Sequence, residues 1–263
     1  MTTPIDQVPA HLREIAQAVV AEAEADERLL AVVAGGSIAT GTSDEYSDLD
    51  LVLVCTPEGQ AACLADARTF AGRLGTLLTS FTGEHVGEPR LLIALYGPPL
   101  LHVDLKFVTP GDLRHRVEDG LVLWQRDDTV DTTPGAAQWP QPDPQWIEDR
   151  FWGWTHYIGV KIARGELFEA IEGLGALRSA AIAPLAVHGR TPKPSGVRRL
   201  ETLAPELVPE LRETVATADR DDCLRALKAS VELYRKVRDS SGLAVERRTE
   251  AERVVAEFLT DFK

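Results

Sequence analysis

The sequence predicts a mixed α/β domain with a small sheet, followed by an all-α helical bundle. Up to about residue 108, apolar runs with helical spacing alternate with short strand-like runs, whereas beyond residue 145 every apolar pattern has the helical period. The segment 127–145 between them contains four prolines, a composition typical of a linker between domains. We therefore predict a first domain over residues 1–140 and a second domain over residues 145–263.

The first domain is predicted to alternate helices with strands. Its helices place apolar residues at helical spacing, and its strands are short apolar runs bounded by Gly, Pro or polar residues. In chain order the elements are a helix from Pro9 to about Asp26, strands at Leu29–Ala34 and Leu49–Cys55, a helix from about Glu58 to Leu78, a polar loop from Phe81 to Pro89, and strands at Arg90–Tyr96 and Leu101–Val108. Gly97-Pro98-Pro99 separates the last two strands and predicts a hairpin whose turn is not tight.

The second domain is predicted to contain helices only. Trp154, Ile158 and Ile162 of its first helix recur at i, i+4 and i+8, a stripe typical of a core. The predicted helices are Gln145–Arg164, Glu166 to about Leu185, Pro205–Ala218, Asp221–Asp239 and Val245–Leu259. We expect these helices to pack as a bundle.

Composition limits the classes of function. The 263-residue chain is 44% hydrophobic and 26% charged, which is typical of a globular protein, and no apolar run approaches the length of a membrane span. A formal net charge of −13 disfavours nucleic acid as a partner and is compatible with a small cationic molecule. The three cysteines, Cys55, Cys63 and Cys223, are too few and too widely spaced for a disulfide framework or a zinc site, so we expect a cytoplasmic protein.

The main candidate site lies between the first two predicted strands. Gly35-Gly36-Ser37 opens a turn that lets backbone N–H groups approach phosphate oxygens closely. Asp48 and Asp50 are two residues apart on the second strand, so both side chains project to the same face. Two hard oxygen ligands on one face suit Mg²⁺. The alternative is an ordinary turn followed by two solvated acids at the mouth of an edge strand.

This arrangement resembles the signature of the DNA polymerase β-like nucleotidyltransferases, and among them the aminoglycoside adenylyltransferases. The pattern is Gly36-Ser37, then ten residues, then Asp48-x-Asp50 with apolar neighbours. The resemblance implies a nucleotidyltransferase fold, in which Gly36 and Ser37 grip the triphosphate and Asp48 and Asp50 bind metal. It also implies a third carboxylate on a later strand.

Asp104 matches that third carboxylate by its position and its apolar flanks. It shares one face of the strand Leu101–Val108 with His102 and Lys106. An acid in the middle of a strand is costly unless it is paired or bound to metal. Asp104 would act as a metal ligand or as a general base; the alternative is a partly buried acid paired with Lys106 or His102. His102 and Lys106 would contact phosphate, orient Asp104 or form a salt bridge at the strand end.

The second domain supplies further candidates. The run Phe151 to Lys161, followed by Arg164-Gly165-Glu166, resembles the opening of the helical domain of streptomycin adenylyltransferases. That resemblance implies a basic residue that meets the triphosphate, for which Lys161 is the candidate; the alternative is a solvated lysine. The acids predicted to bind a cationic acceptor are Glu84, Glu169 and Glu172, and the alternative for each is to face water.

Together these features predict a Mg²⁺-dependent nucleotidyltransferase. It would move a nucleotidyl group, AMP from ATP, to a hydroxyl of a small molecule of the aminoglycoside type and release pyrophosphate. One or two Mg²⁺ ions would be held by Asp48, Asp50 and Asp104, in a cleft between the two domains. The alternatives are a nucleotidyltransferase that modifies a protein or RNA, and a non-catalytic nucleotide-binding module on the same fold.

Overall fold

The computed structural model describes residues 3–127, 130–131 and 139–262. The chain divides into two units, Met1–Gln138 and Trp139–Lys263, and the division falls inside the proline-rich segment 127–145. Pro134 and Gly135 of the predicted linker lie outside the described residues.

The first unit is built on a mixed sheet that has six strands within the described residues. In chain order the strands are β1 (Leu29–Ala34), β2 (Leu49–Cys55), β3 (Leu77–Gly83), β4 (Glu88–Tyr96), β5 (Leu101–Val108) and β6 (Leu121–Gln125). Their order in the sheet is β3-β4-β5-β2-β1-β6. β2 and β5 are parallel, whereas the remaining neighbours are antiparallel. The predicted hairpin is confirmed as β4 and β5.

Helices of the first unit cover the two faces of the sheet unequally. They are α1 (Ala10–Ala25), α2 (Gly36–Thr40), α3 (Gln60–Arg73) and α4 (Pro110–Leu113), with 3₁₀ turns at Pro4–Gln7 and Glu84–Val86. α1 and α3 pack on one face in a large apolar core that contains Leu49, Leu51 and Leu105. The opposite face has a smaller apolar cluster around Val33, Val54 and α4. Because strand side chains alternate, Asp50 and Asp104 lie on this second face.

Two strands of the sheet differ from the sequence prediction. The helix predicted to reach Leu78 ends at Arg73, and Leu77–Gly83 forms β3 instead. The predicted loop from Phe81 to Pro89 therefore contains the end of β3, a 3₁₀ turn and the start of β4. Leu77 and Leu78 extend the helical apolar spacing, so only their pairing with β4 distinguishes the two structures. β6 was not predicted, and it is defined by pairing with β1.

The regular secondary structure of the second unit is helical in all of its described residues. Its helices are α5 (Pro144–Ala163), α6 (Leu167–Leu177), α7 (Ala183–Ala186), α8 (Leu200–Leu203), α9 (Val208–Glu213), α10 (Arg220–Ser240) and α11 (Thr249–Thr260), with a 3₁₀ turn at Pro205–Leu207. The predicted second helix is divided by a π turn, Arg178–Ile182, closed by a hydrogen bond from the Ala183 N–H to the Arg178 carbonyl. Pro184 has no N–H for the regular helical pattern, which accounts for a local change there. The fold class, a mixed sheet followed by helices, is confirmed.

A buried carboxylate ties three helical segments of the second unit together. Glu148 on α5 is fully buried and accepts hydrogen bonds from Tyr234 Oη at 2.5 Å, Trp152 Nε1 at 3.1 Å and the Arg248 N–H at 2.9 Å. Arg238 Nη1 lies 3.3 Å from Glu148 Oε2. Burial acts to raise the pKa of Glu148, but the donors led by Tyr234 outweigh it, and the pKa is lowered. Glu148 is therefore a buried anion whose charge is compensated by specific partners.

The length and the apolar content of each helix determine whether it could cross a membrane. In the described part of the chain, none of the helices combines the length and apolar character that crossing a bilayer requires.

Candidate active site

The parallel pairing of β2 with β5 brings two of the predicted acids together. Asp50 lies directly opposite Asp104 in the register of the two strands. Parallel neighbours are about 4.8 Å apart, so two carboxylates on the same face lie within reach of one cation. Asp48 comes one residue before β2, and its negative charge acts to raise the pKa of Asp104. The structure therefore places Asp50 and Asp104 side by side on one face of the sheet, with Asp48 one residue before the start of β2.

The glycine turn is positioned by the same strand. The Gly35 N–H donates to the Asp50 carbonyl at 2.9 Å, and Gly36 begins α2 with φ of 56°. A Cβ atom added to Gly36 would lie 2.0 Å from Asp50 Oδ2. Gly36 therefore satisfies two requirements at once: a left-handed backbone and close contact with a carboxylate. Ser37 follows on α2, and its Oγ accepts a hydrogen bond from Ser43 Oγ at 3.2 Å.

Replacing Gly36 by alanine tests that contact. We expect Gly36→Ala to lose about 1–3 kcal/mol of unfolding free energy through backbone strain, and also to displace Asp50 and lose nucleotide binding. Gly41→Ala is the matched control, because Gly41 has φ of 66° but no atom within 4 Å of the added Cβ. Urea unfolding and calorimetry with ATP and Mg²⁺ provide the measurements. Equal loss of ATP binding in both variants would contradict a specific role for the Gly36–Asp50 contact.

Asp104 is hydrogen-bonded to His102 and not to Lys106. His102 Nε2 lies 2.9 Å from Asp104 Oδ1, and the Asp104 side chain is 22% exposed. Burial raises the pKa of Asp104, the His102 hydrogen bond opposes that shift, and the charge of Asp48 adds to it. Lys106 instead lies 2.7 Å from Glu88 Oε2 on β4. Glu88 could not be recognised as the partner of Lys106 from the sequence, because their contact depends on how β4 pairs with β5.

The chemistry and strand positions of the three acids fit Mg²⁺. Carboxylates are hard oxygen ligands, and Asp48 is partly buried with no hydrogen-bond donor to its side chain among the described residues. As placed, however, no three His, Cys, Asp or Glu side chains of the described residues are grouped as a ligand set. The Asp50 carboxylate lies against Gly36. The metal-binding role of the three acids therefore stays a prediction.

Two predicted residues of the second unit contact each other. Lys161 Nζ lies 2.6 Å from Glu166 Oε2 and 3.1 Å from Glu169 Oε2, and 5.1 Å from the centre of the Tyr157 ring. These carboxylates, Glu166 first, raise the pKa of Lys161. Tyr157 also donates a hydrogen bond to Glu169. Lys161 is thus a paired cation rather than a solvated one, and Glu169 is partly neutralised. The sequence analysis did not predict this cluster, although the i, i+4 spacing of Tyr157 and Lys161 places both side chains on one face of α5.

The remaining two candidates are exposed. Glu172 is on α6, and its side chain makes no hydrogen bond or ion pair with any residue that the structure describes. Glu84 lies in the 3₁₀ turn after β3, and a hydrogen bond with Thr82 lowers its pKa. Glu84 is in the same unit as Asp104, whereas Glu172 is in the other.

Comparison with known proteins gives structural neighbours only. No protein-family model and no curated protein matches the chain. Among solved structures, it is similar to an aminoglycoside 6-adenyltransferase from Bacillus subtilis, with 15% identity and a TM-score of 0.42 over 100% of this chain and 99% of that one. It is also similar to a nucleotidyltransferase-like protein from Exiguobacterium sibiricum 255-15, with 12% identity and a TM-score of 0.39 over 85% of this chain and 74% of that one. Identities and TM-scores this low do not define the activity of this chain.

Proposed function

We propose that the protein transfers a nucleotidyl group, AMP from ATP, to a hydroxyl of a small molecule. The observation that carries this proposal is the direct opposition of Asp50 and Asp104 beside the Gly36 turn. Paired carboxylates next to a turn that admits phosphate are what transfer of a nucleotidyl group requires. The motif resemblance of Gly36-Ser37 and Asp48-x-Asp50 supports the same reaction.

In this reaction the acceptor oxygen forms a bond to the α-phosphorus, and the bond from that phosphorus to the pyrophosphate oxygen breaks. Asp104 would take the proton of the acceptor hydroxyl, and burial, which raises its pKa, would strengthen it as a base. His102, bonded to Asp104, orients that carboxylate. Gly36 and Ser37 contact the β- and γ-phosphates through backbone and hydroxyl donors. Most of the rate would come from holding the two reactants in line.

Asp48, Asp50 and Asp104 would hold one or two Mg²⁺ ions. Mg²⁺ bound there would neutralise negative charge on the triphosphate and on the leaving pyrophosphate. Without a cation, the carboxylates would repel the nucleotide.

We propose that the acceptor is a cationic amino sugar. The net charge of −13 favours approach of a cation, and the candidate acids Glu84, Glu169 and Glu172 would receive its ammonium groups. Lys161 is proposed to contact the triphosphate, which requires it to leave Glu166 and Glu169. The same exchange would free Glu169 for an ammonium group.

The proposed reaction is tested by pyrophosphate release. The protein is incubated with ATP, Mg²⁺ and a panel of aminoglycosides that includes streptomycin, and Asp50→Asn serves as the inactive control. We expect release with at least one aminoglycoside, and none with the variant. If pyrophosphate is released only when a protein or RNA is added, the acceptor is that macromolecule and not a small molecule. If no acceptor leads to release of pyrophosphate, the proposed nucleotidyltransferase activity is wrong.

Metal dependence is a separate expectation. We expect ATP to bind far more weakly in EDTA than in Mg²⁺, because Asp48 and Asp50 would then face the triphosphate without a shared cation. Calorimetry with and without Mg²⁺ measures this difference. Equal affinity in both solutions would overturn the assignment of the metal site.

A further inference from the structure

Four directly paired residues form a row across the sheet. Asp50 on β2 is opposite Asp104 on β5, Asp104 is opposite Ile93 on β4, and Ile93 is opposite Phe81 on β3. Directly paired residues project to the same face. Neighbouring strands are about 4.8 Å apart, so Ile93 and Phe81 lie roughly 5 and 10 Å from Asp104 across the strands. The row is acidic at Asp50 and Asp104 and apolar at Ile93 and Phe81.

The apolar end of the row is open to solvent. Phe81 is 46% exposed, and Ile93 is only partly buried. Leu95, opposite His102, extends the same surface along β4 and is also partly buried. We call Phe81, Ile93 and Leu95 the apolar shelf. On the other face of β4, by contrast, Leu92 and Ala94 are each 1% exposed, so the shelf is not an extension of the core.

The position of the shelf relative to Asp104 indicates which substrate it meets. The groups that would hold the nucleotide, Gly36, Asp48 and Asp50, lie on or beside β2. β4 and β3 lie on the other side of β5. A hydroxyl that gives its proton to Asp104 and attacks a nucleotide over β2 has room for the rest of its molecule over β4, on the side away from the nucleotide. The shelf therefore faces the acceptor and not the nucleotide.

The chemistry of the shelf selects a class of acceptor. Phe81 offers a ring face, Ile93 and Leu95 offer aliphatic surface, and none of the three offers a hydrogen bond. The polar groups lie at its margins: the His85 ring is 5.7 Å from the Phe81 ring, and His102 is bonded to Asp104. An apolar surface with polar groups at its edge is typical of a small-molecule site. A hydroxylated ring with a non-polar C–H face matches this pattern, because the face can pack on Phe81 while hydroxyls point outward.

We propose that the apolar shelf binds the C–H face of a ring in the acceptor, with Phe81 as the main specificity-determining residue. This inference rests on the proposed nucleotidyl transfer, and it adds where the acceptor lies and what shape it has. A flexible acyclic amino alcohol would reach Asp104 with a hydroxyl but would gain little from the shelf.

The test compares Phe81→Ala with Leu78→Ala. Leu78 is on the same strand and is 54% exposed, but it is at a register shift of β3 and close to Gly97, away from the row. Pyrophosphate release is measured with streptomycin and the other aminoglycosides, and with 1,3-diamino-2-propanol as the acyclic acceptor. Aminoglycoside binding is measured by calorimetry in the presence of Mg²⁺ and a non-hydrolysable ATP analogue. Light scattering records the oligomeric state of each variant.

We expect Phe81→Ala to raise KM for the ring acceptor by about tenfold or more and to leave KM for ATP within about twofold. Phe81→Leu should raise KM for the ring acceptor by less than Phe81→Ala does. Leu78→Ala should change neither KM for the ring acceptor nor KM for ATP. The acyclic acceptor should be poor with the wild type and unaffected by Phe81→Ala.

Other outcomes distinguish failure of the shelf proposal from failure of the proposed nucleotidyl transfer. An unchanged acceptor KM in Phe81→Ala, with active wild type, overturns the shelf and leaves the nucleotidyl transfer standing. If the wild type is a dimer and Phe81→Ala is a monomer, the apolar shelf is an interface with a second copy of the chain. That result also overturns its proposed role in acceptor binding. If no ring acceptor binds or reacts while ATP still binds with Mg²⁺, the shelf proposal fails together with the amino-sugar acceptor. Loss of ATP binding as well would reject the proposed function itself.

Discussion

Asp104→Asn should lower turnover on the order of 10²–10⁴-fold while the fold stays intact, the range expected when a general base is removed. The structure explains why the fold should tolerate this change. Burial raises the pKa of Asp104, so in the folded state the charged form is disfavoured relative to the unfolded state, and its neutral amide replacement relieves that cost at pH 7. We therefore expect a Tm equal to or above that of the wild type.

The measurements are initial rates of pyrophosphate release and a thermal melt at pH 7. Glu84→Gln is the comparison, since Glu84 is the alternative carboxylate of the first unit and is exposed. Near-native turnover in Asp104→Asn with strong loss in Glu84→Gln would move the third carboxylate to Glu84. A lowered Tm in Asp104→Asn would show that the His102–Asp104 hydrogen bond is structural.

Glu148→Ala should cost about 3–5 kcal/mol of unfolding free energy, the usual cost of removing one partner of a buried ion pair. Its removal leaves Arg238 without a fully buried counter-charge and Tyr234 and Trp152 without their acceptor. Tyr234 is fully buried and Arg238 is 4% exposed, so water cannot readily replace the lost contacts.

The matched control is Asp149→Ala on the same helix. Asp149 pairs with Arg248 at 2.7 Å, but its side chain is 38% exposed. We expect a much smaller loss there than in Glu148→Ala, because exposed ion pairs contribute little. Urea unfolding of both variants gives the two free energies. A loss below about 1 kcal/mol in Glu148→Ala would mean that the second unit repacks around the gap.

Local sequence was sufficient for elements whose periodicity is unambiguous. β1, β2 and the hairpin of β4 and β5 are short apolar runs bounded by turn residues, and α1, α5 and α10 have clear helical spacing. The Gly36 turn and the spacing of Asp48 and Asp50 are also local, so they and the chemistry they indicate were recognisable without a structure. The same locality limits what could be predicted. Leu77–Gly83 continues the apolar spacing of α3, and only pairing with β4 makes it a strand.

The partners of charged side chains were decided by tertiary structure. Lys106 and His102 both share a strand face with Asp104, and the sequence left either as its partner. β4 places Glu88 within 2.7 Å of Lys106, and His102 then remains for Asp104. The opposition of Asp50 to Asp104, and of Ile93 to Asp104, likewise depends on strand register. Register is set by packing of a whole face against the core, which involves residues far apart in the chain, whereas periodicity and turn chemistry are properties of neighbours.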